Sequence, residues 1–118
     1  MTPRSILVVD DKEDIREVLA LLLRSRGHTV EIAHDGPSAL EIVTRFSPEF
    51  ALVDLHLPRM DGHEVARRLR ALFEPLVLVA MTASADGTEG PKERDGLFNE
   101  RLPKPIDLER LWSILAKR

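Results

Sequence analysis

Three short runs in this chain, Ile6 to Val9, Phe50 to Val53 and Leu76 to Ala80, are apolar at every position. A strand with one wet face alternates apolar and polar side chains, whereas a strand apolar throughout must be covered on both faces. Such strands belong in the middle of a parallel sheet, and parallel neighbours need a crossover long enough for a helix. The intervals supply those helices. After the first run, Ile15, Val18, Leu19, Leu22 and Leu23 recur at helical spacing, with Arg16, Glu17 and Arg24 pointing elsewhere. Gly27 suits the end of that helix.

Thr29 to Ala33 reads as a second, more polar strand, which places it at a sheet edge. Asp35-Gly36-Pro37 starts a second helix with Ala39, Leu40 and Val43 on its buried face, ended by Ser47-Pro48. Val65, Ala66 and Leu69 mark a third helix after Gly62, with Arg67, Arg68 and Arg70 on its wet side. Leu102 lies in a short fifth strand ending at Pro103-Lys104-Pro105. Leu108, Leu111, Trp112 and Leu115 share one face of a last helix that Asp107 can cap. One interval breaks the pattern. From Ser84 to Gly96 the only apolar side chain is Ala85, and Gly87, Gly90, Pro91 and Gly96 interrupt any period. A helix polar all round has nothing to bury, so at most a short, mobile turn is expected around Lys92 to Asp95. The alternation implies an α/β fold: a parallel sheet with helices on both faces. The first, third and fourth strands should be central.

At 118 residues the chain suits one domain, 1–118, with one core. Its 17 Lys and Arg against 20 Asp and Glu give a net charge of -3, which argues against direct nucleic-acid binding. The absence of Cys excludes disulfides, thiol catalysis and Cys-ligated zinc. No apolar run approaches about 18 residues, so no membrane helix is expected. Met-Thr-Pro-Arg-Ser leads straight into a strand with no secretory pattern, and the cytoplasm is the expected location. His28, His34, His56 and His63 show no metal-ligand spacing; solvated or capping roles are expected, with His56 bordering the site described next.

Polar residues stand at the carboxyl ends of four strands: Asp10 and Asp11 after the first, Asp54 after the third, Thr82 after the fourth and Lys104 after the fifth. Doubly wound sheets bind ligands at that rim. Singly, each residue has a structural explanation, as a turn former, a helix cap or a solvated charge. Together on one rim they favour a site. Three neighbouring carboxylates repel one another, and a cation relieves the repulsion. A hard divalent ion such as Mg²⁺ takes oxygen ligands. One carboxylate can then attack phosphorus, with the metal, the Lys104 ammonium and the Thr82 hydroxyl or nearby amides meeting the phosphoryl charge.

The stretches Leu7-Val8-Val9-Asp10-Asp11, Val53-Asp54-Leu55-His56-Leu57-Pro58-Arg59-Met60-Asp61-Gly62, Met81-Thr82-Ala83 and Lys104-Pro105 resemble the receiver domains of two-component response regulators. The resemblance covers essentially the whole chain. It implies a flavodoxin-like, doubly wound sheet of five parallel strands in the order 2-1-3-4-5 with helices on both faces, of which the polar interval makes the fourth short or disordered here. It implies that Asp54 is the phosphoacceptor. Asp11, Asp54 and the backbone carbonyl of His56 would bind Mg²⁺ (or Mn²⁺) directly, and Asp10 through a water. Lys104 would pair with phosphoryl oxygens, Thr82 and Ala83 would bind the phosphoryl group and act as the switch, and the Lys104-Pro105 bond would be cis. The implied partner is a histidine kinase or histidine phosphotransfer protein, and the receiver would catalyse only its own phosphorylation and dephosphorylation.

Two departures stand out. Arg101 occupies the switch position where the family usually has an aromatic or His, and the fourth helix lacks an apolar face. A degenerate receiver acting as a binding module is the alternative, and retention of all five site residues argues against it. A small hydrolase would want a cap and an Asp where His56 stands; a nucleotide binder would want a Gly-rich loop where Asp10-Asp11-Lys12 stands. Wording around Ala51 to Arg68 and at Pro105-Ile106-Asp107-Leu108 is similar to receivers of hybrid histidine kinases, so an attached kinase or output domain fits as well as a free-standing regulator. A monomer is expected.

Overall fold

The computed structural model describes residues 2–73, 75–83 and 96–117. Five strands, β1 (Ser5–Val9), β2 (Thr29–Ala33), β3 (Phe50–Asp54), β4 (Val77–Thr82) and β5 (Glu100–Pro103), form one parallel sheet in the order β2-β1-β3-β4-β5. The helices among the described residues are α1 (Glu13–Ser25), α2 (Gly36–Ile42), α3 (Gly62–Leu72) and α4 (Leu108–Ala116). The helix or turn expected between β4 and β5 falls at 84–95, outside the described residues.

The all-apolar strands are central and the more polar β2 is an edge, as their composition requires. Successive side chains of a strand point to opposite faces. Ile6, Val8, Phe50 and Leu52 therefore pack with Leu19 and Leu23 of α1 and Leu111 and Leu115 of α4. Leu7, Val9, Ala51 and Val53 pack on the other face with Ala39 and Ile42 of α2 and Val65 and Leu69 of α3. Because both faces are sealed, polar residues of the central strands are found at the strand ends.

Local chemistry sets the helix boundaries. Asp35, Asp61 and Asp107 cap α2, α3 and α4, each accepting from backbone amides of the first turn. Gly27 takes φ +93° just past α1 and donates to Arg24 O. The α2 helix ends at Ile42, earlier than Ser47-Pro48. Thr44 and Arg45 donate to Glu41 and Ile42 carbonyls, the tighter three-residue spacing that closes a helix.

Several expected exposures are corrected. His28 and His63 are buried rather than solvated. His28 Nδ1 accepts the Arg4 amide at 2.9 Å, and the His63 ring packs edge-on against Phe98. Arg70 leaves the wet side of α3 to bond the Leu76 and Leu97 carbonyls and Asn99 Oδ1, which also accepts the Leu78 amide. Conversely, Val18 of α1 is 54% exposed and Leu108 of α4 37%, and both line a groove between α1 and the segment 104–108.

Candidate functional site

Asp10 follows β1, Asp54 ends β3, and both are buried, whereas Asp11 is exposed. An oxygen from each of the three lies within 4.8 Å of the others. Lys104, one residue past β5, reaches in beneath solvent: its Nζ lies 3.0 Å from Asp10 Oδ2 and 3.2 Å from Asp54 Oδ2. Its amide donates to Thr82 O at 2.7 Å, so β5 and the end of β4 are tied where the side chain departs.

Every polar point of Asp10 is engaged. Its amide donates to Ala33 O, its carbonyl accepts Arg16 Nη1 at 3.0 Å, Oδ1 accepts the Lys12 amide at 2.9 Å and Oδ2 accepts Lys104. Arg16, expected on the outer face of its helix, thus belongs to the frame of the site. Asp11 lies 3.8 Å from Lys12 Nζ, its one ion pair among the described residues, and faces solvent. Asp54 Oδ1 accepts the His56 amide at 2.9 Å.

Burial, the largest effect, pushes the Asp54 carboxyl above its ordinary value; the neighbouring Asp10 adds to this, while the His56 amide and Lys104 oppose it. Burial alone would depress the Lys104 ammonium, but Asp10 and Asp54 outweigh it and hold the lysine firmly protonated. One ammonium therefore serves two buried carboxylates, with Asp11 beside them. The donors are all oxygen, which fits a hard divalent ion and not a thiolate- or imidazole-seeking metal.

Of the other residues expected at the site, all but Arg101 fall at the same rim. Thr82 ends β4 and is buried, and Ala83 follows it at the surface. His56 is exposed two residues beyond Asp54. The Lys104–Pro105 bond is cis. Arg101 sits half-buried in β5 opposite Ala80, and its carbonyl accepts Arg110 Nε at 3.0 Å. The groove beside Lys104 was not foreseen. It has a volume of about 400 Å³ and is walled by Ile15, Val18, Leu22, Pro105, Ile106 and Leu108. A signal for it existed in Val18 and Leu108, but periodicity assigned both to the core.

A doubly wound sheet that gathers three carboxylates and an ammonium at its carboxyl rim has the oxygen donors to hold a hard divalent ion there. The comparisons narrow this. The response regulator receiver domain profile matches residues 6–116. Response regulator MprA of Mycobacterium ulcerans is 42% identical over 106 residues, which are 90% of this chain and 46% of that protein. MprA of Mycobacterium leprae is 41% identical over the same share. The chain thus spans about half the length of these curated relatives. Among solved structures, the response regulator TrrA of Thermotoga maritima, crystallised with Mg²⁺ and BeF, has a TM-score of 0.84 at 25% identity, covering 97% of both chains. A CheY-like receiver of Methylobacillus flagellatus has a TM-score of 0.85 at 28% identity, again covering 97% of both. The chain belongs to the response regulator receiver domain family of two-component signal transduction.

Proposed function

We propose that this receiver takes a phosphoryl group onto Asp54 from a histidine kinase or histidine phosphotransfer protein, with Mg²⁺ or Mn²⁺. The observation that carries the reading is the Lys104 ammonium shared between buried Asp10 and Asp54. Asp11, Asp54 and the His56 carbonyl would hold the ion, and Asp10, whose oxygens are already engaged, would act through a bound water. Once bound, the ion supplies charge compensation for the phosphoryl oxygens. An Asp54 oxygen attacks phosphorus as the bond to the donor's imidazole nitrogen breaks, and that nitrogen leaves with the electron pair and is protonated. Lys104, the Thr82 hydroxyl and the Ala83 amide would receive the phosphoryl oxygens.

The receiver acts on itself and on no second substrate. The apolar groove beside Lys104 suits a donor, because a helix laid there would bring its histidine to the same rim. With Arg101 in place of an aromatic, the switch relays its signal without an inward-swinging ring. The chain works as a cytoplasmic monomer without direct nucleic-acid contact, and an attached or separate kinase or output domain reads it. Among the described residues no helix is long and apolar enough to cross a membrane.

Acetyl phosphate with Mg²⁺ tests the chemistry. Intact-mass measurement should show one phosphoryl group on the parent, none in EDTA and none on Asp54→Asn. Equal labelling of Asp54→Asn would overturn the reading.

A further inference from the structure

The loop between β3 and α3 contains a residue in an unfavourable conformation. Arg59 has φ +67°, a region that disfavours side chains with a Cβ. The Met60 amide donates to the Pro58 carbonyl at 2.7 Å, so Arg59 is the centre of a tight three-residue turn in its rarer, positive-φ form. Compensation comes from another loop. Arg59 Nη1 lies 2.6 Å from Oδ2 of Asp35, whose side chain is only 5% exposed. The other Asp35 oxygen accepts the Ser38 amide at 2.9 Å and caps α2, and His34 Nε2 stands 3.5 Å from Oδ2. The Ser38 amide and then the Arg59 guanidinium, against the effect of burial, hold this carboxyl below its ordinary value.

The neighbouring residues repeat the contact. A Cβ on Gly36 would lie 2.9 Å from Met60 Sδ and 2.8 Å from Val65 Cγ2. Two consecutive residues, Asp35 and Gly36, therefore bear on two consecutive residues, Arg59 and Met60. The ends of the same loop are pinned as well: the His56 amide bonds Asp54 Oδ1 at 2.9 Å, and the Gly62 amide bonds the Leu55 carbonyl at 3.3 Å. The bridge offsets the cost of the turn in the middle, so the stretch that carries the His56 carbonyl runs between a fixed end and a stabilised turn.

We infer that the Asp35–Arg59 bridge is a positioning device for the metal site, holding a left-handed turn that orients residues 55–61 over Asp54. This rests on the metal-binding reading above. Arg59 touches no reacting atom; it is a positioning residue, and its guanidinium serves the backbone rather than supplying charge to the site. Glycine, which adopts positive φ freely, should therefore replace both the side chain and its bridge.

The test is Mg²⁺ titration by calorimetry, well below the melting point of every variant, with acetyl phosphate labelling as a second readout. Arg59→Ala keeps the unfavourable φ without its compensation and should bind Mg²⁺ about tenfold more weakly. Asp35→Asn keeps the helix cap, loses the charge and should weaken binding similarly. Arg59→Gly, alone or combined with Asp35→Asn, should stay within about twofold of the parent. Parental affinity in Arg59→Ala overturns the inference, and so does an equal loss in the Ala and Gly variants. A parent that binds no Mg²⁺ at all removes the metal-binding reading, and the inference with it.

Discussion

Lys104 Nζ lies 3.0 Å from Asp10 Oδ2 although 94 positions separate the two residues in the chain. The contact closes the rim from both ends, since β1 is second from one edge of the sheet and β5 is the opposite edge. It also places one positive charge where two buried negative charges would otherwise face each other.

Removing that charge should have three separable effects. Lys104→Met leaves buried Asp10 and Asp54 without their cation, and stability without metal should fall by about 2 kcal/mol. A divalent ion then no longer competes with an ammonium, so calorimetry should show Mg²⁺ binding tighter than in the parent. Labelling by acetyl phosphate should nevertheless drop steeply, because the phosphoryl oxygens lose a partner. Weaker Mg²⁺ binding in the variant would refute the competition.

Gly62 has no room for a methyl group. A Cβ there would lie 2.4 Å from the Asp54 carbonyl oxygen and 2.7 Å from Leu55 Cα. Both are backbone atoms, one of Asp54 and one of the residue that follows it, and cannot swing aside. Gly62→Ala should cost about 3 kcal/mol in a denaturant titration and weaken Mg²⁺ binding, because the clash displaces the strand end that carries Asp54.

His28 should make stability depend on pH on the acid side. Burial first, then the Arg4 and Arg26 charges, lower its pKa below the ordinary 6.5. Between the lowered value and 6.5 the unfolded chain binds more protons than the folded one, so stability rises with pH across that window. The contribution is complete above about 6.5 and is lost as pH falls through the folded value. Protonating Nδ1 would also cost the bond from the Arg4 amide. Melting curves from pH 7 to pH 5 should show this loss, and His28→Asn, which keeps an acceptor, should flatten it.

The groove should matter to protein donors and not to small ones. Val18 is 54% exposed, so Val18→Lys should change the melting point little. Labelling by acetyl phosphate should match the parent. Transfer from a phosphorylated histidine donor protein should slow by about tenfold or more, the effect of placing a charge in an apolar docking contact. Unchanged transfer would place the donor elsewhere.

Much of the framework is visible in residue order alone. Ile6 to Val9, Phe50 to Val53 and Leu76 to Ala80 had to be central strands, because nothing in them tolerates water. Asp10, Asp54, Thr82 and Lys104 stand where those strands and the short β5 stop, so strand direction brings them to one rim. Periodicity was less informative about exposure. It placed Val18 and Leu108 in the core and Arg70 in water, because it reports which side chains share a face and not what covers that face.

Sequence by itself determined the strands, the helices that cross between them and the residues at the strand ends, since these follow from local hydrophobic period and helix capping. Tertiary structure alone decided that Lys104 bridges Asp10 and Asp54, that His28 and His63 are buried, and that Arg59 holds a left-handed turn against Asp35. The physical reason is that these are contacts between elements distant in the chain. Their distances follow from how the two packed faces seat each helix on the sheet, and no local pattern encodes them.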